Sequence, residues 1–199
     1  MKMNWKLKDV LMLAVCAVLF GVIFLGATYA GGMLYGVLAP FGLASLGYEF
    51  FYGIYFLGGA FAIYVMRKPG TGIIAEIMAA IIETLLGNFF GPIIILSGFV
   101  QGFGFELVIA LKKYKKFDIV TLIEASICCS IITLIYNLVI SGYNKIAIPV
   151  LALMLVVRII SAVLIDAFLN KSIGDKLAKA GVLNGYEISR GLDEGTQDF

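Results

Sequence analysis

The stretch AEIMAAIIETLLGN, residues 75–88, places two carboxylates, Glu76 and Glu83, inside a run that is otherwise typical of a membrane-spanning helix. A charged side chain at the centre of a bilayer costs about 3 kcal/mol even on the more lenient scales. Acidic residues at such depth therefore indicate a functional site. The rest of the sequence has to show which function that site serves.

The composition indicates a membrane protein. Of the 199 residues, 61% are hydrophobic, 14% are charged and none is histidine. The three cysteines lie in apolar runs, with a spacing that favours neither a disulfide framework nor a zinc site. The sequence contains no recognisable phosphate-binding loop, nucleophile elbow or metal-ligand cluster. We therefore expect no enzymatic activity and no cofactor, and the net charge of +2 gives no reason to expect a nucleic-acid partner.

Long apolar runs predict an all-α membrane protein. A helix needs about 20 apolar residues to cross a bilayer. By this measure residues 1–170 form a transmembrane substrate-binding domain of six helices, and residues 171–199 form a short cytoplasmic tail with a short helix and a frayed end. The third span is too short to cross the whole hydrocarbon layer alone. The predicted spans are residues 10–29, 48–66, 72–86, 92–111, 119–140 and 147–169.

Basic residues predict the orientation. Lysine and arginine cluster at every second boundary between spans, whereas the other three boundaries contain only Lys145. Cytoplasmic loops carry the excess of lysine and arginine, so both termini are expected in the cytoplasm and the three sparsely charged loops outside.

The acids within the spans outnumber the bases. One deep base, Arg158, is available to neutralise Glu83, Glu106 or Glu124. Glu76 lies closer to the cytoplasmic boundary and favours a structural or coupling role. Glu83 lies near mid-depth, and we expect it to face a ligand.

A helix break follows Glu83 directly. The sequence GNFFGP, residues 87–92, carries two glycines and a proline between the third and fourth spans. Broken backbone at membrane depth is tolerated only where it is buried in protein or lines a cavity. The break therefore predicts a cavity beside Glu83, with the amide of Asn88 in it and Gln101 of the next span at a similar level.

Further polar and aromatic side chains are expected towards the outer half of the bundle. A buried acid, amides and aromatic rings together favour a cationic aromatic small molecule as the ligand. The predicted substrate-binding residues are Glu49, Tyr52, Tyr55, Glu83, Asn88, Gln101, Glu106, Tyr136 and Asn137. On the first span, Ala14, Ala17 and Gly21 form a small-residue pattern that lets another helix pack closely.

The ordered motifs resemble those of the YkoE family, the thiamin- or hydroxymethylpyrimidine-specific S components of bacterial energy-coupling-factor (ECF) transporters. The motifs include YGIYF (52–56), MRKPG (66–70), AEIMAAIIETLLGN (75–88), GFVQGFGFE (98–106) and GVLNG (181–185).

The resemblance implies a six-helix S-component fold and a substrate site in the outer half, which favours Glu49, Tyr52, Glu83, Asn88 and Gln101. It also implies a transmembrane T component and cytoplasmic ATPase subunits as partners, with Ala14, Ala17 and Gly21 as a sliding contact to the T component. Thiamin carries a permanent positive charge on its thiazolium ring, and this charge matches a buried acid. The alternative is an autonomous proton-coupled transporter of a small cationic aromatic solute, with Glu83 or Glu106 carrying the proton.

Overall fold

The structure is a computed structural model that describes residues 5–194, with side chains described as far as Arg190. All regular secondary structure in this part of the chain is helical. The helices are α1 (Leu7–Leu38), α2 (Leu46–Glu49), α3 (Tyr52–Met66), α4 (Thr71–Leu85), α5 (Ile93–Leu111), α6 (Ile119–Ile140), α7 (Ile148–Ala162), α8 (Asn170–Lys179) and α9 (Glu187–Glu194).

The described helices confirm the predicted all-α membrane bundle. Five helical stretches are long and apolar enough to cross a membrane, and many of their large apolar side chains, such as Val15, Val18, Val120 and Ile135, are exposed on the surface of the bundle. Lipid is the solvent that matches such a surface. The five stretches are Leu7–Phe41, Leu46–Met66, Ile93–Leu111, Ile119–Ile140 and Ile148–Lys179.

The third predicted span, α4, is short and is not among these five stretches. It has 15 residues, which gives a length of about 22 Å. It packs against α1, α3 and α5, so other helices surround this segment, which is too short to cross the whole hydrocarbon layer alone. Beyond its end, Gly87 and Gly91 have φ angles of +99° and +72°, a conformation that glycine adopts without strain. The helix break that the sequence predicts therefore lies where α4 stops.

Helix α1 is longer than predicted. It runs for 32 residues to Leu38, whereas the sequence indicated a span that ends at residue 29. Residues 30–38 contain no proline, and Pro40 is the first residue that ends the helical pattern. The hydropathy of the sequence shows the minimum length of helix that crosses a bilayer, but it does not show where the helix ends.

The sixth span has no break at residue 170. A π-helical segment, Val163–Leu169, joins α7 directly to α8. The chain then turns, and α9 packs back against α3 and α8. Lys8 donates a hydrogen bond to the carbonyl of Gly185, and Tyr186 donates one to the carbonyl of Lys8 at 2.8 Å. Residues 171–194 of the predicted tail are thus largely in α8 and α9, and the last five residues, 195–199, lie outside the described part of the chain.

Candidate functional site

A cavity of about 500 Å³ opens at the end of the bundle that the charge distribution assigns to the outside. Its walls come from all six helices α1 to α6, together with the loops that follow α1, α4 and α6. This volume lies within the range of small-molecule sites in proteins. The polar lining includes Thr28, Ser45, Glu83, Ser97, Gln101 and Asn137, and the aromatic lining includes Phe24, Tyr35, Tyr48, Tyr52, Tyr55, Phe90, Tyr136 and Tyr143.

Glu83 is the charged residue of this described lining. Its side chain is 4% exposed, and its Oε1 accepts hydrogen bonds from the hydroxyl of Thr28 at 2.7 Å and from the amide of Asn88. The ion pairs between described side chains do not include Glu83. The cavity wall therefore carries a carboxylate that is oriented by neutral groups. It has no basic partner among the described side chains.

Asn88 fixes the broken backbone next to this carboxylate. Its Oδ1 accepts a hydrogen bond from the backbone N–H of Phe90 at 2.6 Å, and its Nδ2 donates to Glu83. The same amide lies 3.4 Å from the Thr28 hydroxyl, which in turn lies 3.3 Å from the hydroxyl of Tyr55. The loop after α4 is thereby held against α1 and α3 at the wall of the cavity.

A second network holds Tyr52 in the cavity wall. The guanidinium of Arg158 lies over the Tyr52 ring, 3.5 Å from its centroid. The Tyr52 hydroxyl accepts a hydrogen bond from the amide of Asn137 at 2.9 Å. Arg158 also donates to Glu49 through two nitrogens and to Thr133 at 3.1 Å. Arg158 and Glu49 are both fully buried, so the pair adds no net charge to the cavity.

Aromatic rings continue from this wall towards the mouth of the cavity. Tyr52 and Tyr55 meet edge to face with ring centroids 5.8 Å apart, and Tyr48 contacts Phe90 at 5.4 Å. Gln101, in α5, donates to the hydroxyl of Ser97 at 3.0 Å. Flat π-faces and an amide thus share one cavity with the Glu83 carboxylate, which is a chemistry that suits a cationic ring system.

The structure brings six of the nine predicted binding residues together in the cavity lining. These are Tyr52, Tyr55, Glu83, Gln101, Tyr136 and Asn137. Asn88 and Glu49 stand behind the lining, where Asn88 orients Glu83 and Glu49 neutralises Arg158.

Glu106 does not belong to the cavity lining. Its carboxylate accepts hydrogen bonds from the backbone N–H groups of Gly70 and Ile73, the latter at 3.1 Å, and from the hydroxyl of Tyr114 at 2.8 Å. It thus satisfies free N–H groups at the start of α4. The prediction that Glu106 binds substrate is therefore wrong. The depth of a residue in the membrane does not show whether its side chain points towards the cavity.

The expected partner of Arg158 was also wrong. Arg158 pairs with Glu49, and not with Glu83, Glu106 or Glu124. Glu124 pairs with Lys112 near the cytoplasmic end, and its side chain is 48% exposed.

The small residues of α1 mostly pack within the chain. Ala17 and Gly21 are buried, and a Cβ at position 21 would lie 2.7 Å from the side chain of Ile82 in α4. Gly21 therefore lets α4 approach α1, and neither Ala17 nor Gly21 offers free surface in this structure. Ala14 is exposed. A contact between α1 and a partner helix stays a prediction, and it would use the exposed face that includes Ala14.

Thr28, Tyr35 and Ser97 line the cavity but were missed by reasoning from the sequence. Thr28 offered a signal, since it is the first hydroxyl side chain in a long apolar run. Buried hydroxyls of this kind are often satisfied by a carbonyl of their own helix, which makes the signal weak. Tyr35 lies beyond the predicted end of the first span, so no pattern placed it near Glu83.

Comparisons with known proteins identify the family and agree with the fold. A family model described as "ABC-type cobalt transport system, permease component" matches residues 8–132. The chain is 38% identical over 189 residues to the "Putative HMP/thiamine permease protein YkoE" of Bacillus subtilis (strain 168), which covers 95% of this chain and 92% of that one. A crystal structure of an S component of an ECF transporter matches with a TM-score of 0.91 and 36% identity, covering 98% of this chain and 96% of that chain.

The fold and its outer cavity define a multi-pass subunit of the bacterial plasma membrane, of the class formed by the S components of ECF transporters. Within that class the chain belongs to the YkoE family of permease proteins. It is a transport subunit and not an enzyme.

Proposed function

We propose that this chain captures thiamin, or its hydroxymethylpyrimidine (HMP) moiety, from outside the cell for ATP-driven uptake by partner subunits. The observation that carries the proposal is Glu83, a carboxylate without a basic partner among the described side chains, set in an aromatic cavity on the outer side. The relative in Bacillus subtilis bears the name of an HMP/thiamine permease, and this supports the choice of ligand.

The charge balance of the site favours a cationic ligand. Glu49 is neutralised by Arg158, so Glu83 supplies the net charge of the described wall. A thiazolium ring would compensate that charge without a proton, and it would contact the faces of Tyr52 and Tyr55. A cobalt ion would meet a poorer ligand set here, because the described lining has one carboxylate and neither a histidine nor a thiol.

The pyrimidine part of the ligand would use the amides of the wall. Gln101 and Asn137 offer donors and acceptors at the cavity surface, and the aminopyrimidine edge offers the complementary groups. Such a site binds a ligand that completes these hydrogen bonds more tightly than an analogue that does not. With the analogue, polar groups of the site would be buried without a partner, which costs free energy. Thiamin and HMP share this edge, and they differ in the charged ring.

Uptake requires partners. By analogy with the S components that it resembles, we propose that the chain works with a transmembrane T component and cytoplasmic ATPase subunits. Partner ATPases would supply the energy, and this chain would supply the binding site.

Calorimetric titration of the purified full chain with thiamin and with HMP tests the proposal. Thiamin is expected to bind saturably with one site, and oxythiamin, whose pyrimidine carries an oxo group in place of the amine, is expected to bind at least tenfold more weakly. The choice of ligand would be contradicted if thiamin, HMP and oxythiamin all gave no binding heat and none of them competed with another for the chain. Reconstitution into proteoliposomes tests the partner requirement, because gradient-driven uptake by the chain alone, without ATP, would contradict an S-component role.

A further inference from the structure

A second cavity lies at the end of the bundle that the charge distribution assigns to the cytoplasm. Its volume is about 270 Å³, and it opens between the start of α1, the end of α3 with the loop that follows, and the start of α9. Four of the described lining side chains are basic and two are acidic, which leaves a net charge of +2. These charged side chains are Lys6, Lys8, Asp9, Lys68, Glu187 and Arg190.

Direct contacts join the three segments around this cavity. Asp9 of α1 is fully buried and forms an ion pair with Lys68, in the loop after α3, at 2.5 Å. Lys8 donates a hydrogen bond to the carbonyl of Gly185, and its Nζ lies 5.0 Å from the centroid of the Tyr186 ring. The Tyr186 hydroxyl donates back to the carbonyl of Lys8 at 2.8 Å. The cavity therefore lies between segments that hold one another in place.

Each acid of the lining already has a basic partner within it. Lys68 neutralises the buried acid of α1, and Arg190 pairs with Glu187 at 2.8 Å. The ion pairs between described side chains include neither Lys6, which is exposed, nor Lys8, which is half-buried. Two ammonium groups of the cavity thus have no carboxylate partner among the described side chains, and the cavity offers their charge to an anion.

The residue types and the volume indicate a phosphate group as the anion. Lysine binds phosphate as a point charge, and the planar guanidinium of arginine donates two parallel hydrogen bonds to phosphate oxygens. The volume lies below the range of about 300–1,000 Å³ in which whole drug-sized molecules are enclosed. A cavity of this size therefore suits a headgroup rather than a whole ligand.

The surface next to the two lysines is apolar, which favours a lipid as the source of the phosphate. Leu7, Val10 and Leu11 of α1 have exposed fractions of 75%, 53% and 58%. Acyl chains would cover such a surface favourably, whereas a soluble phosphate would leave it as it is. Basic pockets at the cytoplasmic ends of membrane helices are sites of this kind for anionic lipid headgroups.

We propose that this cavity binds the phosphodiester headgroup of one anionic phospholipid of the cytoplasmic leaflet, whose acyl chains lie along the exposed face of α1. Lys6, Lys8 and Arg190 would contact the phosphate oxygens. The bound lipid would add a further connection between the start of α1 and the start of α9, which already meet through Lys8 and Tyr186.

Native mass spectrometry of the purified full chain in a neutral detergent tests the lipid site. The chain would be stripped of lipid and titrated with dioleoylphosphatidylglycerol, with dioleoylphosphatidylcholine and with glycerophosphoglycerol, which is the phosphatidylglycerol headgroup without its acyl chains. We expect one molecule of phosphatidylglycerol to bind at least tenfold more tightly than either of the other two compounds. Added salt should weaken that binding, because it screens the charges of the lining.

The double variant Lys6→Gln with Arg190→Gln removes two exposed cations of the lining and is expected to weaken the binding of phosphatidylglycerol at least tenfold. Lys115→Gln with Lys116→Gln is the matched control. It removes two exposed lysines on the same predicted side of the membrane, and both lie outside the described lining. This control should bind phosphatidylglycerol as the unaltered chain does.

Equal affinities for the two lipids would overturn the proposal, as would an unchanged affinity in the double variant of the lining. Equal losses in the two double variants would show a diffuse attraction to the charged face and no site. Binding of glycerophosphoglycerol as tight as that of the lipid would assign the cavity to a soluble phosphate and would also overturn it. If the double variant of the lining fails to fold, an unchanged affinity in Lys6→Gln alone has the same meaning. The measurement uses no thiamin, so its outcome is independent of the proposed function.

Discussion

The guanidinium of Arg158 and the carboxylate of Glu49 form a two-bond ion pair, with Nε–Oε2 at 2.6 Å and Nη2–Oε1 at 2.8 Å. Neither side chain is exposed. Helix α7 is thereby joined to the start of the second long span, directly behind Tyr52. The pair is neutral as a whole, so Glu83 is left as the charged residue of the described cavity lining.

Arg158→Ala is expected to destabilise the fold more than it weakens ligand binding. The variant leaves Glu49 buried without its partner, which costs about 3–5 kcal/mol. Thermal unfolding measures this loss directly. The double variant Glu49→Gln with Arg158→Met removes both charges and should lose less stability than the single variant. A single variant that folds normally and has lost only its ligand would contradict the structural role.

Glu83→Gln is expected to lower the affinity for thiamin at least tenfold, or about 1.4 kcal/mol. The substitution keeps the shape and the acceptor oxygen but removes the charge that the cavity offers to a cation. Calorimetric titration measures the change. The loss for HMP should be smaller, because that ligand lacks the charged ring, and Glu124→Gln should leave both affinities unaltered. Unchanged thiamin affinity in Glu83→Gln would refute the role of the charge.

Thr28→Val is expected to weaken thiamin binding about threefold to tenfold. Valine has nearly the same shape as threonine but cannot donate the 2.7 Å hydrogen bond that orients Glu83, a bond worth about 1 kcal/mol. Titration in the Glu83→Gln background should show a much smaller effect, since the two residues act together. Thr84→Val, which removes a hydroxyl bonded to the carbonyl of Ala80 within α4, is the control. Equal losses in the two threonine variants would count against the network.

Gly21→Ala is expected to destabilise the bundle by about 1–3 kcal/mol. The added Cβ would lie 2.7 Å from the Ile82 side chain and 2.9 Å from the carbonyl oxygen of Ala79, so α1 and α4 would have to separate. Gly26→Ala in the same helix meets no atom within 4 Å and should be neutral or slightly stabilising. Comparison of the two melting temperatures isolates the close approach. Similar values for both would show that the contact contributes little.

The fluorescence of Trp5 is expected to change little when thiamin binds. Trp5 is the one tryptophan of the chain and lies at the predicted cytoplasmic end, away from the cavity lining. A reporter at Tyr136→Trp, in a Trp5→Phe background, would stand in the lining and should respond strongly. Strong quenching of Trp5 itself would refute the placement of the site on the outer side.

Much of the fold and part of the site could be predicted from the sequence. The apolar runs are about as long as a helix that crosses a bilayer, so the spans can be predicted without knowledge of any contact between residues. The cavity beside Glu83 follows from the GNFFGP break, because irregular backbone within a membrane has to line or fill something. Glu83 itself follows from the cost of placing an acid at that depth.

The remainder depends on which way each helix faces. Glu106 and Gln101 lie in one helix at neighbouring depths, yet Glu106 caps α4 while Gln101 lines the cavity. The hydropathy of a uniformly apolar span shows how deep a residue lies but not its direction. The same limit explains why Arg158 was assigned to acids at similar depth, when its partner is Glu49 at the outer end of another span.

The 32 residues of α1 give a helix about 48 Å long, against a hydrocarbon layer of about 30 Å. Even at a tilt of about 40°, the upper end of the usual range, it would still span about 37 Å. Its outer end, which carries Tyr35 of the cavity lining, therefore stands among the lipid headgroups. A cation would reach the cavity through that layer, where negatively charged headgroups, if the outer leaflet carries them, would raise its local concentration and added salt would lower it again. The rate of capture would then depend on the membrane in which the protein sits as well as on the residues of the site.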